Sequence, residues 1–268
     1  MWLRLRQIAL VAEELAPVER ELADVLGIEV GYRDPGIDHF GLENALLPIG
    51  NQLLEVVAPI REHTAGGRYL ARRGGNGGYM VITQCDDHGP RRARVEALGV
   101  RIVNQFDSGE FSNMQLHPKD TGGSFFEIDE QRGEGAHEPD GPWEPAGPHW
   151  QAHRRLERVA GISAAEVQCD DPDAVAARWS DIAQIDLTGT NRRTLPLDNA
   201  QVRFVPCSDG RPEGLGGIDV VCSDPQTVLQ AAEAHSVRSG EKQVYLCGMR
   251  INLEKPTTVS SARGNAHG

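Results

Sequence analysis

One pattern, used four times, constrains this chain more than any other feature. A short apolar run, an acidic or small turn, a proline and a helix-like stretch recur in segments that start at Gln7, Met80, Ser163 and Gly217. A unit of this size cannot bury its apolar face alone, so repetition implies units packed on one another. Pro17, Pro90, Pro172 and Pro225 suit the first helical position, where a missing N–H costs nothing. Asp171 and Asp224, directly before their prolines, suit helix N-caps. After Pro17 the residues Val18, Leu22, Val25 and Leu26 recur at helical spacing. Strand-like runs follow the helix at 29–32, 44–49 and 52–57 in the first copy, and at 101–103, 114–116 and 125–128 in the second. The last two copies end in shorter strands at 201–205 and 249–253. The reading is an α+β chain of four tandem βαβββ units.

The copies fall into two pairs, predicting a first domain over 1–130 and a second over 153–256. Between them, 131–152 is rich in Gly, Pro and charge and reads as a linker, with Trp143 and Trp150 expected to pack on a surface. The tail 257–268 is polar and expected to be disordered.

Composition removes several function classes. With 39 acidic and 27 basic residues the formal net charge is −12, and no dense basic block exists, so nucleic acid is not an expected partner. No stretch approaches the 18 apolar residues of a membrane span, and the start, Leu3-Arg4-Leu5-Arg6, alternates where an export signal has an apolar block. The five cysteines are widely spaced with no CxxC pair, which fits a reducing cytoplasm better than a disulfide framework.

One stretch carries a chemical question. Leu116-His117-Pro118-Lys119-Asp120-Thr121-Gly122-Gly123 leads into Phe126-Glu127-Ile128, which places a carboxylate within an apolar strand. On its own Glu127 reads as a solvated strand residue. Glu55 stands at the matching place in the first unit between Leu53 and Val57, a poor setting for a lone solvated charge.

These motifs, with Glu43-Asn44-Ala45-Leu46-Leu47-Pro48-Ile49-Gly50 and Leu54-Glu55-Val56-Val57-Ala58-Pro59, resemble the vicinal oxygen chelate superfamily. The similarity is to its glyoxalase-like and methylmalonyl-CoA epimerase-like branches. The resemblance implies two cupped mixed-sheet domains, each made of two units, with a metal in the cup. It places metal ligands at Gln7, Glu55 and Glu127. Where the family has a histidine, this chain has Met80, preceded by Tyr79. A thioether is a poor partner for an oxygen-preferring ion, so three oxygen donors and water would hold Mg, Mn, Co, Ni or Zn only weakly, or His39 or His117 would substitute. His39 lies near the place of the epimerase proton-transfer carboxylate, and could equally be a loop histidine bonded to Asp38. His117, Tyr79 and Met80 are expected substrate contacts, although His117 before a proline also reads as structural.

The resemblance implies a metal-assisted isomerase, epimerase or lyase, acting through an enediolate on a small 2-oxo or 2-hydroxy acid or an acyl-CoA, with His39 or Glu127 moving the proton, in a homodimer. Two alternatives remain open: a metal-free small-molecule binding protein of the resistance type, and a metal-free acid–base enzyme using the same cup. Copies three and four carry no ligand set, since Ala164, Gly217 and Asn252 stand at the corresponding positions.

Overall fold

The computed structural model describes residues 1–256, so the expected disorder of 257–268 lies outside the described residues. The first unit is β1 (Leu3–Val11), α1 (Leu15–Leu26), β2 (Leu42–Ile49) and β3 (Gln52–Pro59). A helix α2 (Ala65–Arg73) leads to the second: β4 (Gly77–Cys85), α3 (His88–Ala97), β5 (Ile102–Ser108), β6 (Phe111–Leu116) and β7 (Phe125–Gln131). The third is β8 (Val159–Cys169), α4 (Pro172–Ala183), β9 (Thr194–Pro196) and β10 (Gln201–Pro206), and the fourth β11 (Gly214–Cys222), α5 (Pro225–Ala234), β12 (Gln243–Leu246) and β13 (Met249–Glu254).

Two mixed sheets result, ordered β2-β3-β1-β4-β7-β6-β5 and β12-β13-β11-β8-β10-β9. In each, the first strands of two units pair antiparallel at the centre, and each first strand is flanked in parallel by the last strand of its own unit. The α+β class and the two paired-unit sheets agree with the sequence pattern.

Only the second unit has all three strands after its helix. In the others the first of the three shrinks to one bridge: Tyr32 with Leu46, Thr188 with Thr194, Arg238 with Val244. Each of these stretches runs at once into turn residues (Asp34-Pro35-Gly36, Gly189, Gly240) that end the pairing. The strand expected at 29–32 is therefore absent. Asp171 and Asp224 do cap α4 and α5, accepting from Ala174 N at 3.0 Å and Thr227 N at 3.1 Å, with Pro172 and Pro225 at the first helical position. In α1 and α3 the helix starts two residues before its proline. Helix α2 lacks a periodic apolar signal; Thr64 caps it, accepting from Gly67 N at 3.0 Å, and Gly74 ends it at φ 74°.

Strand alternation divides the side chains of the first sheet. Ile8, Leu10, Leu54, Val56, Val81, Phe126 and Ile128 join Ala165, Val167, Phe204, Ile218 and Val220 of the second sheet, and the helices, in one shared core. At its centre the Trp179 indole of α4 stacks on Phe126 (4.0 Å, 9°), meets Phe204 edge-on, and donates to Thr121 O at 3.0 Å. Gly78 lets the sheets approach: a Cβ there would lie 2.5 Å from Leu215 O. Two side-chain amides join the halves as a strand would. Gln52 exchanges hydrogen bonds with the Ile162 backbone (2.8 and 2.7 Å), and Asn199 with that of Leu5 (2.8 and 2.9 Å).

The opposite face of the first sheet, with Ala9, Val11, Leu46, Leu53, Val57 and Phe111, gathers a second cluster closed by Trp143 and Trp150. Segment 131–152 is thus packed down, and two buried arginines fasten it. Arg4 donates to the carbonyls of Ala136, His137 and Glu138 at 2.9–3.1 Å, and Arg6 to those of Pro139 and Gly141 at 2.6 and 2.7 Å. The alternating Leu3-Arg4-Leu5-Arg6 start is explained by this: leucines to the shared core, guanidinium groups to the segment.

Truncating Trp179 to alanine is expected to cost about 3–5 kcal/mol, read as a shift in the chemical denaturation midpoint. Both halves should unfold together, because the cavity opens between them.

Candidate functional site

The first sheet curves around a cavity of about 210 Å³ lined by Gln7, Glu55, Tyr79, Met80, Gln115 and Glu127 among others. The register explains their convergence. Ala9 pairs with Glu55 across β1 and β3, Ile82 with Glu127 across β4 and β7, and β1 meets β4 with Gln7 opposite Ile82 and Ala9 opposite Met80. The two units are therefore related so that Glu55 corresponds to Glu127 and Gln7 to Met80. Pairing skips from Ala9–Met80 to Leu10–Gly78, which leaves Tyr79 as an extra residue in a β-bulge. A bulge re-aims side chains, and Tyr79 and Met80, neighbours in sequence, both line the cavity.

Burial governs the chemistry of the carboxyl groups. Glu55 is 8% exposed, and its oxygens accept from Asn44 Nδ2 at 2.7 Å and Gln7 Nε2 at 2.8 Å. Desolvation outweighs those donors and pushes its pKa up to about 7. Glu127, on the matching strand, accepts from Gln115 Nε2 at 2.8 Å, and burial raises its pKa also. Asp129 lies beneath it, fully buried. Its Oδ1 accepts from Asn113 Nδ2 at 3.1 Å, while Oδ2 has no donor. Burial, then the charge of Glu127, raise its pKa well above the usual range. In the first unit, Val57 stands at the position of Asp129. Tyr79 is buried against Tyr69 and Phe125 (centroids 4.8 and 4.9 Å), and burial, with Tyr69, Glu55 and Glu127 nearby, keeps its phenol protonated.

The donor set argues against a metal in this cup. Gln7 Oε1, the atom a cation would use, accepts from the Trp143 indole N–H at 3.0 Å, while its Nε2 donates to Glu55. Flipping the amide would set oxygen against carboxylate and N–H against N–H, so these two partners fix its orientation. The Met80 sulfur accepts from Gln115 Nε2 at 3.3 Å. Among the described residues, no group of three or more His, Cys, Asp or Glu side chains is placed to hold an ion. The residues that resemblance assigns to the metal do meet here, Gln7, Glu55 and Glu127 together, but Gln7 is committed to Glu55 and Trp143, Glu55 to Gln7 and Asn44, and Glu127 to Gln115.

Two histidines fall outside the cavity lining. His39 sits in a 3-10 turn, Pro35–Phe40, whose three-residue period brings Asp34, Ile37 and Phe40 to the cavity. His39 is left exposed, its ring edge-on to that of Phe40 (centroids 5.5 Å) and its carbonyl accepting from Arg61 at 3.1 Å. The proton-transfer role expected of it has no geometric support. His117 Nδ1 accepts from Lys119 N at 3.1 Å and its carbonyl from Asp120 N at 2.8 Å, so it holds the turn before β7, outside the cavity lining. Asn44, Asn113, Gln115, Asp129 and the tie from Trp143 to Gln7 were not evident as parts of the site. Asn113, Gln115 and Asp129 are signalled by the polar alternation of Asn113-Met114-Gln115 and of Glu127-Ile128-Asp129, and Asn44 only by its place in the motif that carries the resemblance.

The second sheet has no corresponding cavity-facing carboxylate pair. By register, Ala164 and Gly217 take the places of Gln7 and Met80, and Arg203 and Asn252 those of Glu55 and Glu127. Arg203 bridges Asp219 and Glu166, and Arg250 bridges Glu166 and Asp209, which fills that face with ion pairs.

Two βαβββ units joined through their first strands around a cup define one known architecture. The chain has the vicinal oxygen chelate fold, built twice. A hypothetical protein from Staphylococcus aureus matches over 95% of this chain and 100% of its own, at 13% identity and a TM-score of 0.64. A methylmalonyl-CoA epimerase in complex with methylmalonyl-CoA and NH4+ matches 49% of this chain and 96% of its own (22% identity, TM-score 0.44). The epimerase from Mycobacterium tuberculosis matches 48% and 89% (24% identity, TM-score 0.43). No family model and no curated protein matches the chain. No helix among the described residues is long and apolar enough to cross a membrane.

The raised pKa of Glu55 has a signed consequence for this vicinal oxygen chelate cup. Below about pH 4.5 Glu55 is protonated whether folded or not; between there and about 7 the unfolded chain releases its proton first, so stability falls as pH rises. The parent should therefore lose roughly 3 kcal/mol relative to Glu55→Gln between pH 4 and pH 8. The measurement is the difference between the two denaturation free energies across pH; a constant difference contradicts it.

Proposed function

We propose that the cup within residues 1–130 is the active site of an isomerase that takes a proton from a carbon acid and returns it, with Glu55 and Glu127 as the two proton-transfer groups. The observation that carries this reading is two buried carboxyl groups facing one small cavity from corresponding strands, one with its pKa at about 7. A group poised near the working pH gives and accepts a proton with comparable ease. With one carboxyl ionised and the other protonated, the first removes a proton from the carbon next to a carbonyl. The C–H electron pair becomes a C=C bond while the carbonyl π pair moves to oxygen, and the second carboxyl then protonates the same carbon. When the two act on opposite faces the product is the epimer, and the roles reverse in the other direction.

This is a metal-free version of the chemistry that the family resemblance suggests, and it follows from the commitment of Gln7 to Trp143 and Glu55. A drug-sequestering role fits less well, because 210 Å³ is below the ~300–1,000 Å³ of sites that enclose drug-sized ligands. Only the reacting end of a larger substrate would enter. The second pair of units, residues 153–256, is proposed as a scaffold that supports the back of the first sheet.

The test is proton NMR in D2O with small 2-oxo acids, 2-hydroxy acids and acyl thioesters that carry a hydrogen on the carbon beside the carbonyl. The parent should exchange that hydrogen for deuterium with at least one class. Glu127→Gln and Glu55→Gln should each slow exchange by on the order of 10²–10⁴. Tight binding of a compound with no exchange in the parent would favour a binding protein instead.

A further inference from the structure

We infer that the cup is built for an uncharged carbonyl compound whose oxygen is held by the Tyr79 hydroxyl, which supplies the polarisation a metal would otherwise give. The inference rests on the proton-transfer reading and adds the substrate class and a third catalytic group. Two observations, independent of each other, carry it.

The first is the charge of the lining. Asp34, Glu55 and Glu127 line the cavity, and no Lys, Arg or His does so among the described residues. Guanidinium groups near the cup are directed elsewhere: Arg6 onto the carbonyls of 139 and 141, Arg33 onto Asn44 O and Glu19, Arg68 onto His63 O at 2.7 Å, and Arg72 onto Gly123 O at 2.8 Å. A substrate carboxylate would enter a desolvated site with no cation to meet it and like charges beside it, an arrangement that strongly disfavours binding. The chain as a whole carries a net charge of −12, which repels anions at longer range. A neutral acyl thioester or ketone meets no such barrier, and Ile82, Met80 and Phe111 offer it apolar walls.

The second is the hydroxyl of Tyr79. Its ring is wedged between Tyr69 and Phe125, whereas Tyr69 spends its own hydroxyl on Gly123 O at 3.0 Å. The Tyr79 hydroxyl has no hydrogen-bond partner among the described residues, and Tyr79, set in the bulge, lines the cavity that both carboxyl groups share. A buried tyrosine usually finds a partner, and a fixed phenol donor without one, beside two proton-transfer groups, suits the oxygen on which charge develops. As the carbon proton leaves to one carboxylate, the new negative charge settles on the carbonyl oxygen. The Tyr79 O–H donates to it and keeps its own proton, and charge and atoms balance when the second carboxyl returns a proton to carbon.

The experiment compares two thioesters of N-acetylcysteamine that differ in one group: 2-methylbutyryl, which is uncharged, and methylmalonyl, which carries a carboxylate. Deuterium exchange is followed by NMR and binding by calorimetry, on the full chain and on Tyr79→Phe, which retains the ring packing and whose thermal midpoint should match the parent. The uncharged thioester should bind at least about tenfold tighter, and Tyr79→Phe should slow its exchange by on the order of 10²–10³ with KM little changed. Preferred binding or exchange of the carboxylate thioester, or full exchange by Tyr79→Phe, overturns the inference while leaving the proton-transfer reading standing. Preferred binding of the uncharged thioester without exchange supports the substrate class and removes the proton-transfer reading. No binding of either removes both.

Discussion

A carboxylate buried in a strand-built cup must find hydrogen-bond donors or give up its charge, and the first sheet is organised around meeting that demand at Glu55. Asn44 on β2 and Gln7 on β1 each donate to one of its oxygens. Gln7 can do so only because Trp143 takes its oxygen, and Trp143 is in place because Arg4 and Arg6 draw the carbonyls of 136–141 onto the end of the sheet. A segment that composition marks as a linker is thus part of the site. Across the cavity the same demand at Glu127 is met differently, by Gln115, with the buried Asp129 two residues along the strand and its pKa pushed well up by burial and by the charge of Glu127. Two units of one design therefore present carboxyl groups with unlike surroundings, a useful asymmetry for a pair in which one must be acid while the other is base.

The fold was largely legible because it is repeated. Four helices with a proline in their first turn, each behind an apolar strand, make the unit order readable, and the register makes Glu55 and Glu127 true counterparts. What local pattern could not convey were the strands lost to turn chemistry, as at 29–32, and helix α2, whose Gly66 and Gly67 hide it from any propensity argument. The alternation of Leu3-Arg4-Leu5-Arg6 was visible, yet its meaning depended on carbonyls more than 130 residues away.

The site was legible only as far as residue type allows. Carboxylates in apolar strands announced a pocket, but an amide's orientation is decided by its partners. Gln7 resembles a metal ligand in sequence and acts as a carboxylate donor in space, and the deciding partner, Trp143, lies far along the chain. Tyr79 sits next to Met80, so strict alternation would send one of them away from the cup; the bulge overrides the period. His39 falls outside the lining because a 3-10 turn presents every third residue, and Asp34, Ile37 and Phe40 occupy that series.

The central claim is that hydrogen bonds within the protein, not a metal ion, hold the carboxyl groups of the cup. Electron paramagnetic resonance of Mn2+ titrated into protein purified without an affinity tag tests it directly, since bound Mn2+ loses the sharp signal of the free ion. The account predicts an undiminished free-ion signal at equimolar Mn2+ near neutral pH, the same for the parent and for Glu127→Ala. One Mn2+ bound per chain in the parent and none in Glu127→Ala would contradict it.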